Sequence, residues 1–146
     1  GLGIHSMLAI HKMVPNYFNN IVFVSVAVVD SGTFKGAEEI RALQENVDGN
    51  LAKYVALARR LGWNATSATG MGIDPADEIT SVCLELSTKF PRVMFFAGKL
   101  MWKRETWTQR ILHNETAYQV ERRLQWKGLP MTVIPLRVRE RPKKVA

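Results

Sequence analysis

The segment Ile21-Val22-Phe23-Val24-Ser25-Val26-Ala27-Val28-Val29-Asp30-Ser31-Gly32 decides the fold of this chain. Apolar and β-branched residues follow one another almost without polar alternation, which is typical of a strand that is buried on both faces. Such a strand implies helices on either side of a parallel sheet. Ligands bind beyond the carboxyl ends of the strands in sheets of this kind, and Asp30 would lie at that edge.

Helices and strands alternate along the rest of the sequence. In the first half the pattern predicts a helix over His5–Val14, a strand over Ile21–Val29, a long helix from Lys35 to Leu61 and a strand over Asn64–Gly70. In the second half it predicts a helix after Asp74-Pro75, a strand over Val93–Ala97, a helix opened by residues 113–116 and a strand over Met131–Val138. Asp74 would cap its helix, and Gly62 and Gly128 would end theirs. Pro135 suits an edge strand or a bulge better than the centre of a strand. We therefore predict a three-layer α/β/α domain with a mainly parallel sheet over residues 1–138, followed by a basic disordered tail over residues 139–146.

Composition sets limits on the class of protein. The chain has 146 residues, of which 47% are hydrophobic and 23% charged, as expected of one globular domain. No apolar run reaches the roughly 18 to 20 residues of a membrane span. The single cysteine, Cys83, excludes an intrachain disulfide and a cysteine-rich zinc site, which favours an intracellular compartment. Cys83 falls on the apolar stripe of a predicted helix, where we expect it to be a small core residue.

Positive charge is concentrated in the last third of the chain. Residues 1–98 carry a net charge of −1, whereas residues 99–146 carry +8. This asymmetry indicates either an anionic neighbour or a solvated basic surface with a basic tail. Trp102, Trp107 and Trp126 are interleaved with basic residues, so three interpretations stay open: cover for the sheet or a dimer contact, a membrane-proximal surface, and, as the least favoured, a nucleic-acid surface. The candidate residues for contact with an anionic surface are Lys103, Arg104, Arg110, Arg122 and Arg123.

Motifs for catalysis or metal binding are not evident. The three histidines, at positions 5, 11 and 113, have no metal-ligand spacing, and no nucleophile, base and acid can be grouped into a triad. Gly98-Lys99 at a predicted strand end could meet a phosphate, although a loop glycine beside a solvated lysine is the favoured interpretation. Asn114 would cap the last helix and leave amides free for an anion, but capping alone also accounts for it.

The order of elements resembles that of universal stress protein domains. Val26-Ala27-Val28-Val29-Asp30-Ser31-Gly32 is similar to the first strand of that family, Phe95-Phe96-Ala97-Gly98 to its glycine-bearing strand end, and Leu129–Pro135 to its terminal strand. The resemblance implies a universal stress protein-like fold, with Asp30, Gly98, Lys99, Asn114 and Thr116 as the residues that would bind ATP or another nucleotide. Met101 and Asn114-Glu115 depart from the glycines and serine of that motif, and Glu115 would repel a phosphate.

A second resemblance covers almost the whole sequence. The segments that carry it are Gly1–His5, Asn20–Val26 with Val29–Gly32, Phe96–Leu100, Leu112–Ala117 and Arg122–Trp126. They resemble the C-terminal cytoplasmic domain of bacterial transporters of the amino-acid/polyamine/organocation (APC) superfamily, related to the tails of cation–chloride cotransporters and potassium-uptake permeases. In such tails a strand precedes the Gly-Leu-Gly segment, so the resemblance implies a domain lacking its first strand.

The second resemblance gives the leading functional expectation. It implies a non-enzymatic regulatory or assembly domain at the cytoplasmic face of the bacterial inner membrane. Its expected partners are the transmembrane transport domain of the same polypeptide, a second copy of the chain and anionic lipid, with no cofactor. The alternative expectation is a nucleotide-binding sensor domain of universal stress protein type.

Overall fold

The computed structural model describes residues 2–32, 36–101 and 107–137, which form a mixed α/β fold. Its elements in chain order are α1 (Leu2–Met13), β1 (Asn20–Val28), α2 (Ala37–Arg60), β2 (Asn64–Gly72), α3 (Pro75–Lys89), β3 (Phe95–Met101), α4 (Trp107–Trp126) and β4 (Met131–Arg137). The predicted alternation of helices and strands is thus confirmed. The predicted tail over residues 139–146 lies outside the described residues.

The strands form two parallel pairs. β1 pairs with β2 from Asn20 opposite Asn64 to Val28 opposite Gly72. β3 pairs with β4 from Phe95 opposite Met131 to Met101 opposite Arg137. In the described part of the chain no ladder joins one pair to the other, so the single sheet that the sequence predicts is instead two short sheets. α3 packs against both β1 and β2 before the chain enters β3.

Successive side chains of β1 pack on opposite faces of the strand. Phe23 joins a buried cluster with Leu51 and Val55 of α2 and Met7 of α1. The neighbouring valines contribute to a second cluster, which is built mainly from α3 and α4. Its buried members are Ala76, Val82, Cys83, Leu86, Phe95, Val120 and Leu124. Helices therefore contact both faces of β1, as its unbroken apolar sequence predicts.

Local signals at the ends of the helices are confirmed. The Asp74 carboxylate accepts a hydrogen bond from the Asp77 N–H at 3.0 Å, and Pro75 occupies the first position of α3. Gly62 and Gly128, which follow α2 and α4, have φ angles of 91° and 74°. These left-handed conformations are readily adopted by glycine, so both residues end their helices as the sequence predicts.

Several boundaries differ from the predictions: α1 begins at Leu2, β2 continues to Gly72 and β3 begins at Phe95, and the largest differences are at the end of β3 and the start of α4. β3 extends to Met101 instead of ending at Ala97, because its ladder with β4 continues that far. α4 begins at Trp107, whereas the sequence predicts a start near Asn114 and a non-helical connection over Leu100–Gln109. No glycine or proline interrupts the residues between Trp107 and Asn114, and Gln109, Arg110 and Leu112 are good helix formers, so the helix propagates through them.

Candidate functional site

Asp30 lies at the carboxyl edge of the β1–β2 pair, as predicted. It follows β1 by two residues, and the Val29 N–H donates to the Gly72 carbonyl at 2.8 Å, which extends the pairing to this edge. The Asp30 side chain is exposed, and its Oδ1 accepts a hydrogen bond from the Gly32 N–H at 2.9 Å. Asp30 therefore stabilises the turn that leaves β1, a local role that aspartate often performs.

Glu78 of α3 lies directly over the end of β2. A Cβ atom added to Gly72 would be 2.1 Å from Glu78 Oε1, and one added to Gly70 would be 3.0 Å from Val82 Cγ2. Because side chains alternate along a strand, positions 70 and 72 share one face, and glycine at both lets α3 approach β2 closely. Sequence reasoning missed this contact, although the spacing Gly70-Met71-Gly72 just before a helix was its signal.

The edge formed in this way is acidic. Asp30 follows β1, Asp74 caps the N-terminus of α3, and Glu78 covers Gly72. The amides at the start of α3 are the groups that could attract a phosphate, but the Asp74 carboxylate already accepts from one of them. Three carboxyl groups at this edge repel an anionic ligand.

The other predicted nucleotide ligands occupy different local environments from those expected. Gly98 and Lys99 lie within β3, opposite Ile134 and Pro135, and not at its end. Asn114 and Thr116 lie in the interior of α4, where helical amides are bonded to carbonyls of the preceding turn. The expectation that Asn114 caps a helix is therefore wrong. Of these five residues, Asp30 alone follows the end of a strand.

Of the basic residues predicted to contact an anionic surface, some lie in the described part of the chain and others do not. Arg123 of α4 donates to the Asp77 carboxylate of α3, while Arg122 is exposed. Arg110 lies in the first turn of α4. Lys103 and Arg104 lie outside the described residues. Half-buried Arg123 is thus engaged within the protein, whereas the neighbouring Arg122 presents its charge to solvent.

Apolar side chains are exposed where α1 leads into β1. We name Met13, Val14 and Tyr17 the α1-end patch; their exposed fractions are 59%, 41% and 73%. The Tyr17 ring packs edge-on against Phe18 with centroids 4.9 Å apart. Exposed apolar groups of this kind mark interaction surfaces when they lie together. Sequence reasoning missed this patch because a residue pattern alone does not separate exposed from buried apolar positions.

Cys83 is buried in the cluster between α3 and α4. Burial raises the pKa of its thiol from 9.0 to about 11, because removal from water disfavours the thiolate. Thiolate is the nucleophilic and metal-binding form of cysteine, so Cys83 is chemically inert near neutral pH. This confirms the expectation of a small core residue.

Further candidate sites are few in the part of the chain that the structure describes. No group of three or more His, Cys, Asp or Glu residues there is arranged to hold a metal ion. A surface depression of about 510 Å³ is lined by Arg59, Gly62, Trp63, Asn64 and Ala65. It lies where α2 meets the start of β2, at the opposite end of the strand from Gly72, and Arg59 Nε donates to the Ala65 carbonyl within it at 3.0 Å.

The sequence and the structure were compared with known proteins. No family model matches the sequence, and neither a curated protein nor a solved structure matches it. Among the described residues, no helix combines the length and the apolar character needed to cross a membrane.

Proposed function

We propose that this chain is a non-enzymatic cytosolic regulatory or assembly domain of a bacterial transporter of the APC superfamily, with a universal stress protein-like three-layer fold. The sequence resemblance over Asn20–Val26 and Phe96–Leu100 supports the family. The observation that carries the mode of action is the α1-end patch, because it offers apolar side chains at a surface.

The α1-end patch suits a protein partner. Tyrosine and methionine are enriched in protein interfaces because they supply much contact area and, for tyrosine, a polar tip. On this proposal the patch docks on the transmembrane transport domain of the same polypeptide. The basic last third of the chain then lies toward anionic lipid, with Arg122 among the contacting residues.

Photo-crosslinking in the intact membrane protein tests this mode of action. A photoreactive residue in place of Tyr17 is expected to crosslink to a transmembrane segment of the polypeptide. The matched control is Ile73, which is also exposed but follows β2 and so lies at the opposite end of the β1–β2 pair. Equal crosslinking at both positions, or none at Tyr17, contradicts the proposal, as does a reading frame without transmembrane helices upstream of Gly1.

Nucleotide sensing is the second candidate, and the position of Asp30 beyond β1 is the observation in its favour. The acidity of the same edge weighs against it. Calorimetry with ATP, AMP and a cyclic dinucleotide decides between the two. Heat of binding that is lost in Asp30→Ala supports the sensor, and the absence of heat with all three nucleotides excludes it for these ligands.

A further inference from the structure

β2 has a free edge in the part of the chain that the structure describes. β1 pairs along one edge of β2, and α2 and α3 pack against its two faces. Within residues 2–32, 36–101 and 107–137 no ladder forms on the other edge. Thr66 and Ser67 are exposed although they lie in the interior of a strand of nine residues. The middle of β2 is therefore accessible from the side that faces away from β1.

The direction of the backbone groups in β2 follows from two hydrogen bonds. The Gly72 carbonyl accepts from the Val29 N–H, so even-numbered residues of β2 face β1. Successive residues of a strand direct their N–H and C=O groups to opposite sides, so odd-numbered residues face the free edge. In agreement, Arg59 Nε donates to the Ala65 carbonyl at 3.0 Å from that side. Ser67 consequently presents its N–H and C=O groups at the free edge.

This edge lacks the features that usually prevent pairing with another chain. Proteins protect exposed edges with charged side chains, proline or bulges. The residues of β2, Asn64–Gly72, include no charged residue and no proline. The register with β1 is continuous along the whole strand, so no bulge bends it. Arg59 bonds to the Ala65 carbonyl, but a carbonyl oxygen has a second lone pair and can accept another hydrogen bond.

α2 places opposite charges at the two ends of this edge. Gln44 donates to Thr69 Oγ1 at 3.3 Å and to Asp48 Oδ1 at 2.9 Å, which sets the Asp48 carboxylate near Thr69. Arg59 lies at the other end, where it contacts Ala65. The free edge is thus flanked by a negative charge towards its end and by a positive charge towards its start.

Small side chains lie between these two charges. Asp48, Ala52 and Arg59 share one side of α2, because their spacing returns to the same side of a helix. Ala52 is exposed and lies about midway between the two points at which α2 contacts β2. Ser67 is midway between the same two points on β2. Alanine and serine at this level leave room for another molecule to approach the edge closely.

We infer that β2 is a self-association site, at which two copies of the chain pair antiparallel about a two-fold axis at Ser67. Such an axis requires a surface that is complementary to itself. It places Ala65 opposite Thr69 of the second copy, and it therefore sets Arg59 beside Asp48 of the second copy. The same contact occurs twice, so opposite charges meet at both ends of the ladder. The inference does not rest on the proposed transporter, because the contact joins two copies of this chain.

Sedimentation of the chain at increasing concentration measures the self-association. The chain is expected to form dimers that dissociate on dilution, as mass action requires. Ser67→Pro removes an N–H at the free edge and no hydrogen bond to β1, a position at which strands tolerate proline. This variant should stay monomeric, while circular dichroism shows that it keeps the fold.

Exchange of the two charges tests the predicted geometry. Arg59→Glu should raise the dissociation constant of the dimer at least about tenfold, because it sets two carboxylates against each other. Arg59→Glu combined with Asp48→Lys should restore the dimer, which a variant that merely fails to fold would not do. Lys53→Glu is the matched control, since Lys53 is exposed on another side of α2 and should have little effect.

Three outcomes overturn the inference. A chain that stays monomeric at about 1 mM, the limit of weak binding, shows that the β2 edge does not pair. A dimer of unchanged affinity in Ser67→Pro forms through another surface, such as the α1-end patch. A dimer that Arg59→Glu weakens and Asp48→Lys does not restore lacks the two-fold contact of these residues.

Discussion

The Arg123 guanidinium of α4 donates a hydrogen bond to the Asp77 carboxylate in the first turn of α3. The contact joins two helices across 46 positions of sequence, and both side chains remain partly exposed. Asp77 also lies where a negative charge is favourable at a helix N-terminus. The pair therefore orients α4 on α3 at the surface, above the buried cluster that contains Cys83 and Leu124.

Removal of this ion pair is expected to have a small effect on stability. A double-mutant cycle of Asp77→Asn and Arg123→Gln should give a coupling energy of about 1 kcal/mol or less, because water screens both charges. Urea unfolding of the four proteins at low and high salt provides the measurement. A coupling energy that does not decrease with salt would contradict the exposed position of the pair.

Leu124 is expected to be far more important for stability than Trp126, two positions away. Leu124 is fully buried, so Leu124→Ala should lower the free energy of unfolding by roughly 2–5 kcal/mol. Trp126 is 87% exposed, and Trp126→Ala should change the free energy of unfolding by no more than about 0.5 kcal/mol. Similar midpoints for the two variants in urea would contradict the burial of Leu124 and the exposure of Trp126.

Replacement of Gly49 and of Gly72 by alanine should change the stability of the protein in opposite directions. Gly49 lies within α2 with no atom close to an added Cβ, so Gly49→Ala should stabilise the protein by roughly 0.5–1 kcal/mol. Gly72→Ala should destabilise it, because the new methyl group meets Glu78. Combining Gly72→Ala with Glu78→Ala should recover part of the loss in thermal unfolding. Absence of recovery would place the strain elsewhere.

Alkaline pH should destabilise the protein through Cys83. Its pKa is about 11 in the folded state and 9.0 when solvated, so the unfolded chain loses its thiol proton first. The free energy of unfolding should therefore fall by about 2–3 kcal/mol as pH rises from 9 through 11. Cys83→Ala should not show this loss of unfolding free energy. The difference between the two proteins in unfolding free energy, plotted against pH, therefore gives the contribution of the Cys83 thiol. Parallel curves would contradict the burial of the thiol.

Binding to anionic membranes should depend on salt. The chain is expected to bind vesicles that contain phosphatidylserine and to be released as salt rises from about 0.1 M to 1 M, over which the Debye length falls from ~10 Å to ~3 Å. Arg122→Gln should weaken binding, whereas Arg41→Gln on α2 serves as an exposed control outside the basic third. Binding that persists at high salt, or equal effects of both variants, would argue against a contact through Arg122.

The sequence predicts the elements of this fold better than their assembly. The unbroken apolar run of β1 and the Asp74-Pro75 cap are local signals, and both are confirmed. The start of α4 was missed because polar and aromatic residues around Trp107 resemble a loop by composition, although they are compatible with helix. The division into two sheets depends on tertiary packing, which no local pattern contains.

The candidate site was predictable in one position and not in others. Asp30 stands at the predicted edge because the direction of β1 fixes it there. Gly98 was displaced from the expected strand end because pairing with β4 lengthens β3. Glu78 covers Gly72 because α3 packs on β2. The acidity of the carboxyl edge of the β1–β2 pair therefore becomes evident only from the tertiary structure.

The pairing registers have a consequence for folding. Asn20 pairs with Asn64 and Phe95 with Met131, so each ladder is completed by a single helical crossover within its own half of the chain. Contacts of moderate sequence separation form before those that join distant segments, because loop closure is less costly for them. Each half can therefore nucleate by itself, and the contacts of α3 with α4 and of α1 with β3 then join the two halves.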